Sequence, residues 1–205
     1  MLLRPRDELY TAAGPIESVY FPLNGTASIL IDTGQGETVT IITIGNEGML
    51  GSPVVLGIQR NFGRTLVSEA GTALKLPVAV LHIHLQQHPV LQTLLVRYLY
   101  TLARHIAQGC ACRHLHSIEK QCVRWLLTAQ DRAGRETFVF TQQAVAELLG
   151  AQRATMSLAL RRFKRTGLIT YVRGRIQIQD RRGLEVISCP CYTSMVAEYQ
   201  HMLAA

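Results

Sequence analysis

The chain has 205 residues, 48% of them apolar and 17% charged, which is enough to bury a core as one large domain or two small ones. Its longest apolar stretch, Leu91 to Leu102, is broken by Gln92, Arg97 and two tyrosines, and falls short of the roughly 20 residues of a membrane span. The formal charge of +7 is confined: residues 137–183 carry nine basic and two acidic side chains, and the other 158 residues carry twelve of each. Charge concentrated in this way is the footprint of nucleic-acid binding, whereas a basic face without a partner would be merely solvated.

Residues 1–77 read as β. Val19-Tyr20-Phe21, Thr26–Ile31, Thr38–Ile44, Thr65–Ser68 and Thr72–Leu76 are short runs of β-branched and aromatic residues. They are punctuated by Asn24-Gly25, Thr33-Gly34-Gln35-Gly36, Gly45-Asn46 and Glu69-Ala70-Gly71, which predicts a small roll or barrel. The start, Met1-Leu2-Leu3-Arg4-Pro5-Arg6, lacks the apolar core of a signal peptide, so a cytoplasmic protein is expected. Pro77 opens a helical region interrupted at Pro89. From His88 a seam recurs at spacings of three and four: Leu91, Leu95, Tyr98, Leu102, His105, Gly109, Cys112 and His116. A heptad seam belongs to a helix packed along another helix, and nearly 30 residues outrun one small domain. A parallel dimer helix is therefore expected, packing on the chain's own β domain being the alternative. Ser117 caps a further helix running to about Arg132 and stopping at Gly134, with Ile118, Cys122, Trp125, Leu126 and Ala129 on one face.

The basic block follows. Thr141 caps a short helix, Gln142 to Leu149, and Gly150 ends it. A second helix from about Arg153 to Thr166 places Met156, Ala159, Leu160 and Phe163 on a core face. Ala154, Ser157, Leu158, Arg161 and Arg165 lie on its outer face, flanked by Arg153 and Lys164. Two helices joined by a tight glycine turn, the second basic on the outside, describe a helix-turn-helix. Leu168–Val172 and Ile176–Ile178 then alternate around Arg173-Gly174-Arg175, a hairpin with a cationic tip suited to gripping phosphates as a wing.

In these features the sequence resembles the Crp/Fnr family over nearly its whole length. The resemblance is carried by Ser18-Val-Tyr-Phe-Pro22, Gly45-Asn-Glu-Gly-Met-Leu-Gly51, Cys112 to Leu127, Phe140 to Leu149 and Gly167 to Ile178. The ending Gly183-Leu-Glu with Cys189-Pro-Cys-Tyr192 is similar to a subgroup with a short C-terminal helix after the wing. The resemblance implies an α+β chain with a β-roll (double-stranded β-helix) sensor domain over 1–86, a dimerisation helix over 87–116 and a winged helix-turn-helix over 117–205. It implies a transcription regulator, not an enzyme, without a cofactor. Its expected partners are double-stranded DNA at a palindromic site, a second copy of the chain and RNA polymerase, with no membrane and an effector still to be identified.

Residue by residue, the DNA contacts it implies are Thr141, Gln142, Gln152, Arg153, Thr155, Ser157, Arg161, Lys164, Arg173 and Arg175. Arg153 and Thr155 match the family's Arg-Glu-Thr pattern. Ala154 replaces its glutamate and Leu158 a base-reading arginine, so the usual half-site does not carry over. The dimer interface is expected at Leu91, Leu95, Tyr98, Leu102, His105, Gly109 and Cys112. In the effector pocket Arg64 aligns with a phosphate-binding arginine, but Ser52 stands where a ribose-binding glutamate would be. No cysteine precedes Cys110, so the family's N-terminal iron–sulfur ligands are absent, and the chain begins later than most relatives.

Five cysteines are an odd number and argue against a disulfide framework. Cys110/His114 and Cys112/His116 are i, i+4 pairs that point in different directions on a helix. Two copies of Cys112/His116 meeting across a dimer would offer four ligands to zinc, while a small seam residue and a helix-end histidine are the plainer reading, and no metal is expected. Cys189 and Cys191 suit either a thiol sensor or the packing of a terminal helix. His82, His84 and His88 share no face, and His105 is read as a hydrogen-bonded core histidine. An enzyme on the β domain lacks support, because that region has no histidine or cysteine before residue 82. An RNA-binding module would need aromatic stacking platforms that the basic block does not contain.

Overall fold

The structure, a computed structural model, describes residues 1–34, 38–133, 137–139, 142–172 and 174–204. Its backbone falls into two units, Met1–Arg104 with the chain end from Glu198, and His105–Ala197, so the division lies inside a long helix. Among the described residues no helix is long and apolar enough to cross a membrane.

The first unit is built on an antiparallel sheet of β1 (Leu2–Leu3), β2 (Glu8–Tyr10), β3 (Ser18–Asp32), β4 (Thr38–Ile44) and β5 (Arg64–Pro77). The order is β1-β5-β3-β4, with β2 also on β5. Val19, Ala27, Ile29, Ile42, Ile44 and Val67 are buried, giving the sheet one covered face.

The sequence reads two strands where β3 stands and two where β5 stands. Instead the chain runs through Asn24-Gly25 and Glu69-Ala70-Gly71 without turning back, and register shifts mark bulges between Pro22 and Ala27. Gly25 has φ 77°, and a Cβ there would lie 2.7 Å from the Glu69 carbonyl oxygen, so only glycine fits this close crossing. The Thr72 amide donates to Asn24 Oδ1 at 2.9 Å, replacing a ladder bond lost at the bulge. Turn-type residues here bend a continuous ribbon, which a residue pattern alone does not distinguish from ending a strand.

Between β4 and β5, the Gly45–Gly51 segment leads into a short 3-10 helix, Ser52–Leu56. A side chain on Gly48 would collide with the ring of Tyr98, whose hydroxyl donates to the Met49 carbonyl at 3.2 Å. The glycine of this motif is thus explained by helix packing. Helices α1 (Val78–Gln87) and α2 (Pro89–Leu115) follow. His88 between them leaves the helical region, at φ −129° and ψ 83°, in keeping with the bias of a residue preceding proline away from the α conformation.

The second unit contains the C-terminal part of α2, then α3 (Ile118–Ala133), β6 (Thr137–Val139), α4 (Gln142–Leu149), α5 (Arg153–Arg165), β7 (Ile169–Val172), β8 (Arg175–Ile178) and α6 (Arg181–Ile187), with the start of α7 (Pro190–Ala204). Strands β6, β8 and β7 form an antiparallel sheet in that order. The sequence anticipates the β7–β8 hairpin but not β6, which is three residues long and too short for a period to register. The core gathers Leu126 and Leu127 of α3, Met156, Leu160 and Phe163 of α5, Ile169 and Ile176 of the hairpin, and Leu184 of α6. Ser117 caps α3 as expected, its hydroxyl accepting from the Lys120 amide.

Candidate nucleic-acid interface

The interface is built on α4, the turn at Gly150 and α5. The turn closes through the Gly150 amide to the Glu147 carbonyl and the Ala151 amide to the Ala146 carbonyl. Val145, Ala146 and Leu149 of α4 are buried with Met156, Ala159, Leu160 and Phe163 of α5, so four core residues fix the rotation of the second helix. That rotation decides what the other face presents. Gln152, Arg153, Ala154, Thr155, Leu158, Arg161, Lys164 and Arg165 are exposed, and Ser157 and Gln142 are half-buried. Arg161 donates to Ser157 Oγ one turn back at 3.2 Å, which holds its guanidinium along the helix. Arg175 is exposed at the start of β8, on the wing hairpin. Thr141 and Arg173 lie outside the described residues.

The basic residues of this unit divide into two groups. Arg162 pairs with Glu119 of α3 at 2.9 Å, tying the inner flank of α5 to its neighbour. Arg181 pairs with Asp131 and Glu185 and donates to Tyr192. These two are committed to the fold. Among the described residues Arg153, Lys164, Arg165 and Arg175 form no ion pair, so their charge is exposed and uncompensated. Such charge attracts a polyanion, and the planar forks of arginine match both phosphate oxygens and the guanine edge.

Helix α2 carries two parallel stripes, and the structure assigns them differently from the sequence reading. Leu95, Tyr98 and Leu102, expected at a dimer seam, are 6%, 6% and 8% exposed within a single chain. Leu91 is half-buried. His105 Nε2 bonds with the Met195 carbonyl at 3.1 Å, Gly109 is half-buried, and Cys112 is fully buried beside Cys189. The alternative, that this seam packs on its own chain, is what the burial favours. A second series at the same three-and-four spacing, Thr93, Val96, Tyr100, Ala103, Ala107, Cys110 and His114, is exposed throughout. Sequence reasoning missed it because the inward stripe is more apolar. The signal available was the repeat of Val96, Tyr100, Ala103 and Ala107 in the same register.

In the β unit, Ser52 is buried as the first residue of the 3-10 helix, and Arg64 opens β5 with its guanidinium on Glu8 at 2.9 Å. An anionic ligand at Arg64 would meet that carboxylate beside it.

The comparisons with known proteins agree with this geometry. Residues 120–187 match the model of the Crp-like helix-turn-helix domain. Among solved structures, FixK2 of Bradyrhizobium japonicum superposes with a TM-score of 0.77 at 14% identity, over 92% of this chain and 96% of that one. A CRP-family transcriptional regulator of Thermus thermophilus gives 0.70 at 16% identity, over 92% and 96%. A CRP/FNR-family regulator of the same organism gives 0.63 at 20% identity, over 92% and 97%. Comparison with curated protein sequences gives no match.

Proposed function

We infer that this chain, whose residues 120–187 match the Crp-like helix-turn-helix domain and whose fold is that of CRP-family structures, acts as a sequence-specific DNA-binding transcription regulator of the Crp/Fnr type. The observation that carries the reading is the uncompensated arginine and lysine surface of α5 and the wing, on a helix whose rotation is fixed by its core face. Arg153, at the first position of α5, is assigned to a bidentate contact with guanine, and Thr155, Ser157, Gln142, Gln152 and Thr141 to the neighbouring base edges and phosphates. Arg161, Lys164, Arg173 and Arg175 are assigned to the backbone, where they supply affinity without sequence choice.

The protein is proposed to act in the cytoplasm as a homodimer on a palindromic site, with RNA polymerase as a further partner. Two copies are joined through the exposed stripe of α2, where Val96, Tyr100, Ala103 and Ala107 supply an apolar seam at heptad spacing and the alanines let two backbones approach. The β unit would tune this binding in response to a signal, and Arg64 and Ser52 mark the region to test for one.

The test is a pair of variants titrated with operator and random duplexes across a salt series. Arg153→Ala should lose about 1–3 kcal/mol per half-site on the operator and little on random DNA. Arg175→Ala should weaken both duplexes alike and make the salt dependence shallower by roughly one unit per lost contact. If Arg153→Ala weakens both duplexes equally, α5 does not read sequence.

A further inference from the structure

Four side chains that the DNA-binding reading leaves unused converge in the second unit. Cys112 lies in the last turn of α2 and His116 just beyond it. Cys189 precedes α7 and Cys191 lies in its first turn. Their ligand atoms, three Sγ and one imidazole nitrogen, all lie within 4.8 Å of one another. Cys112 Sγ is 3.7 Å from Cys189 Sγ, and Cys191 Sγ is 3.5 Å from His116 Nδ1.

We propose that Cys112, His116, Cys189 and Cys191 form a tetrahedral Cys3His site for a structural zinc ion within each chain. A zinc ion with bonds of about 2.3 Å to sulfur and about 2.0–2.1 Å to nitrogen requires tetrahedron edges of roughly 3.7 Å between sulfurs and roughly 3.5 Å between sulfur and nitrogen. The two measured separations match these edges. The sulfurs are not bonded to each other, since none of the five cysteines is in a disulfide.

Packing of a terminal helix is the competing account, and three observations weigh against it. Cys112, Cys189 and Cys191 form a buried group by themselves, separate from the hydrophobic core of the unit, whereas Cys122 is a member of that core. Gln108 Nε2 donates to Cys191 Sγ at 3.0 Å, and a thiolate is a far better acceptor for this bond than a thiol. Arg124, which acts electrostatically on Cys112, buries an Nε without a hydrogen-bond partner. Three thiolates, one neutral imidazole and a divalent ion carry a net charge of −1, for which this guanidinium is the counter-charge. Binding releases the three thiol protons to solvent, with no redox change at metal or sulfur.

The ligands come in two pairs, Cys-x3-His and Cys-Pro-Cys, separated by the α3–α6 module. The ion would thus clasp the two ends of the DNA-binding module together. The site reads poorly from sequence because neither pair is complete alone and more than 70 residues lie between them.

The experiment uses the full-length protein, stripped of metal by a chelator under reducing conditions and titrated with Co2+, then Zn2+. The expected result is one cobalt per chain with the intense visible bands of tetrahedral, thiolate-bound cobalt, displacement of that cobalt by zinc, and a rise in Tm on adding zinc. Cys110→Ser, which alters an exposed cysteine outside the cluster, should bind as wild type. Gln108→Ala should lower zinc affinity by about 10–100-fold, and Cys191→Ser by more than that, with loss of the thiolate charge-transfer band. The proposal is overturned if wild-type protein leaves cobalt in its octahedral aqueous form, or if it takes up no zinc in competition with a chromophoric chelator. Cys191→Ser and Cys189→Ser binding as tightly as wild type would overturn it too. Because the wild-type readouts need no variant to fold and no DNA, failure here is separable from failure of the DNA-binding reading.

Discussion

The two stripes of α2 can be told apart by one substitution on each. Tyr100 is 62% exposed in the single chain, and a tyrosine buries about 200 Å2 when fully covered. Covering the remainder at a dimer seam removes roughly 120 Å2 per protomer, worth about 3 kcal/mol at about 25 cal/mol per Å2. Allowing about 1 kcal/mol for the side-chain freedom lost leaves about 2 kcal/mol per protomer and about 4 per dimer. Tyr100→Ala should therefore raise the dimer dissociation constant by roughly 1,000-fold, while folding stability changes little. Leu95 is 6% exposed and already packed within its own chain. Leu95→Ala should cost about 2–5 kcal/mol of folding stability through the cavity it leaves, with the dissociation constant unchanged wherever the protein remains folded. Sedimentation equilibrium measures the first quantity and urea denaturation the second. A Tyr100→Ala variant that sediments as the wild-type dimer, or a folded Leu95→Ala variant that sediments as a monomer, refutes the assignment of the two faces.

Gly25→Ala should destabilise the β unit by more than the roughly 1 kcal/mol of an ordinary αL glycine replacement, because the new Cβ would also meet the Glu69 carbonyl at 2.7 Å; a thermal midpoint within a degree of wild type would contradict the close crossing of β3 and β5. Burial keeps the Cys122 thiol neutral, its pKa pushed up to about 12, whereas the unfolded thiol ionises near 8.5. The unfolded chain therefore releases this proton first as pH rises, so the stabilising contribution is intact below about pH 8.5 and falls by about 1.4 kcal/mol per unit above it. Cys122→Ala should show a shallower alkaline decline in unfolding free energy by one proton's worth, and parallel pH profiles for the two proteins would count against it. Cyclic AMP should produce no binding heat at micromolar concentrations, since Ser52 offers no carboxylate to a ribose hydroxyl and Arg64 is engaged by Glu8; a micromolar Kd by calorimetry would overturn that reading.

The helix-turn-helix was legible residue by residue because its determinants are local. Met156, Ala159, Leu160 and Phe163 repeat at helical spacing, Gly150 and Gly167 break the chain on either side, and the arginines fall on the opposite face. Each signal lies within about one helix length, where periodicity and turn chemistry act directly. Tertiary structure decided what depended on distant partners. Asn24-Gly25 became a bulge because Glu69 and Thr72 cross it from another strand. The apolar seam of Leu95, Tyr98 and Leu102 was visible as a stripe, but a stripe does not state whether its cover is the same chain or a second one. Here the seam is buried within the single chain, with a glycine at position 48 making room for Tyr98, and the weaker stripe is left outside. Arg162 and Arg181 look like their neighbours in sequence, and folding brings Glu119 and Asp131 close enough to pair with them. The same holds for the cysteines. Local spacing shows that Cys112 and His116 lie one helical turn apart, but their meeting with Cys189 and Cys191 is set by the path of the whole module between them, which no local pattern encodes.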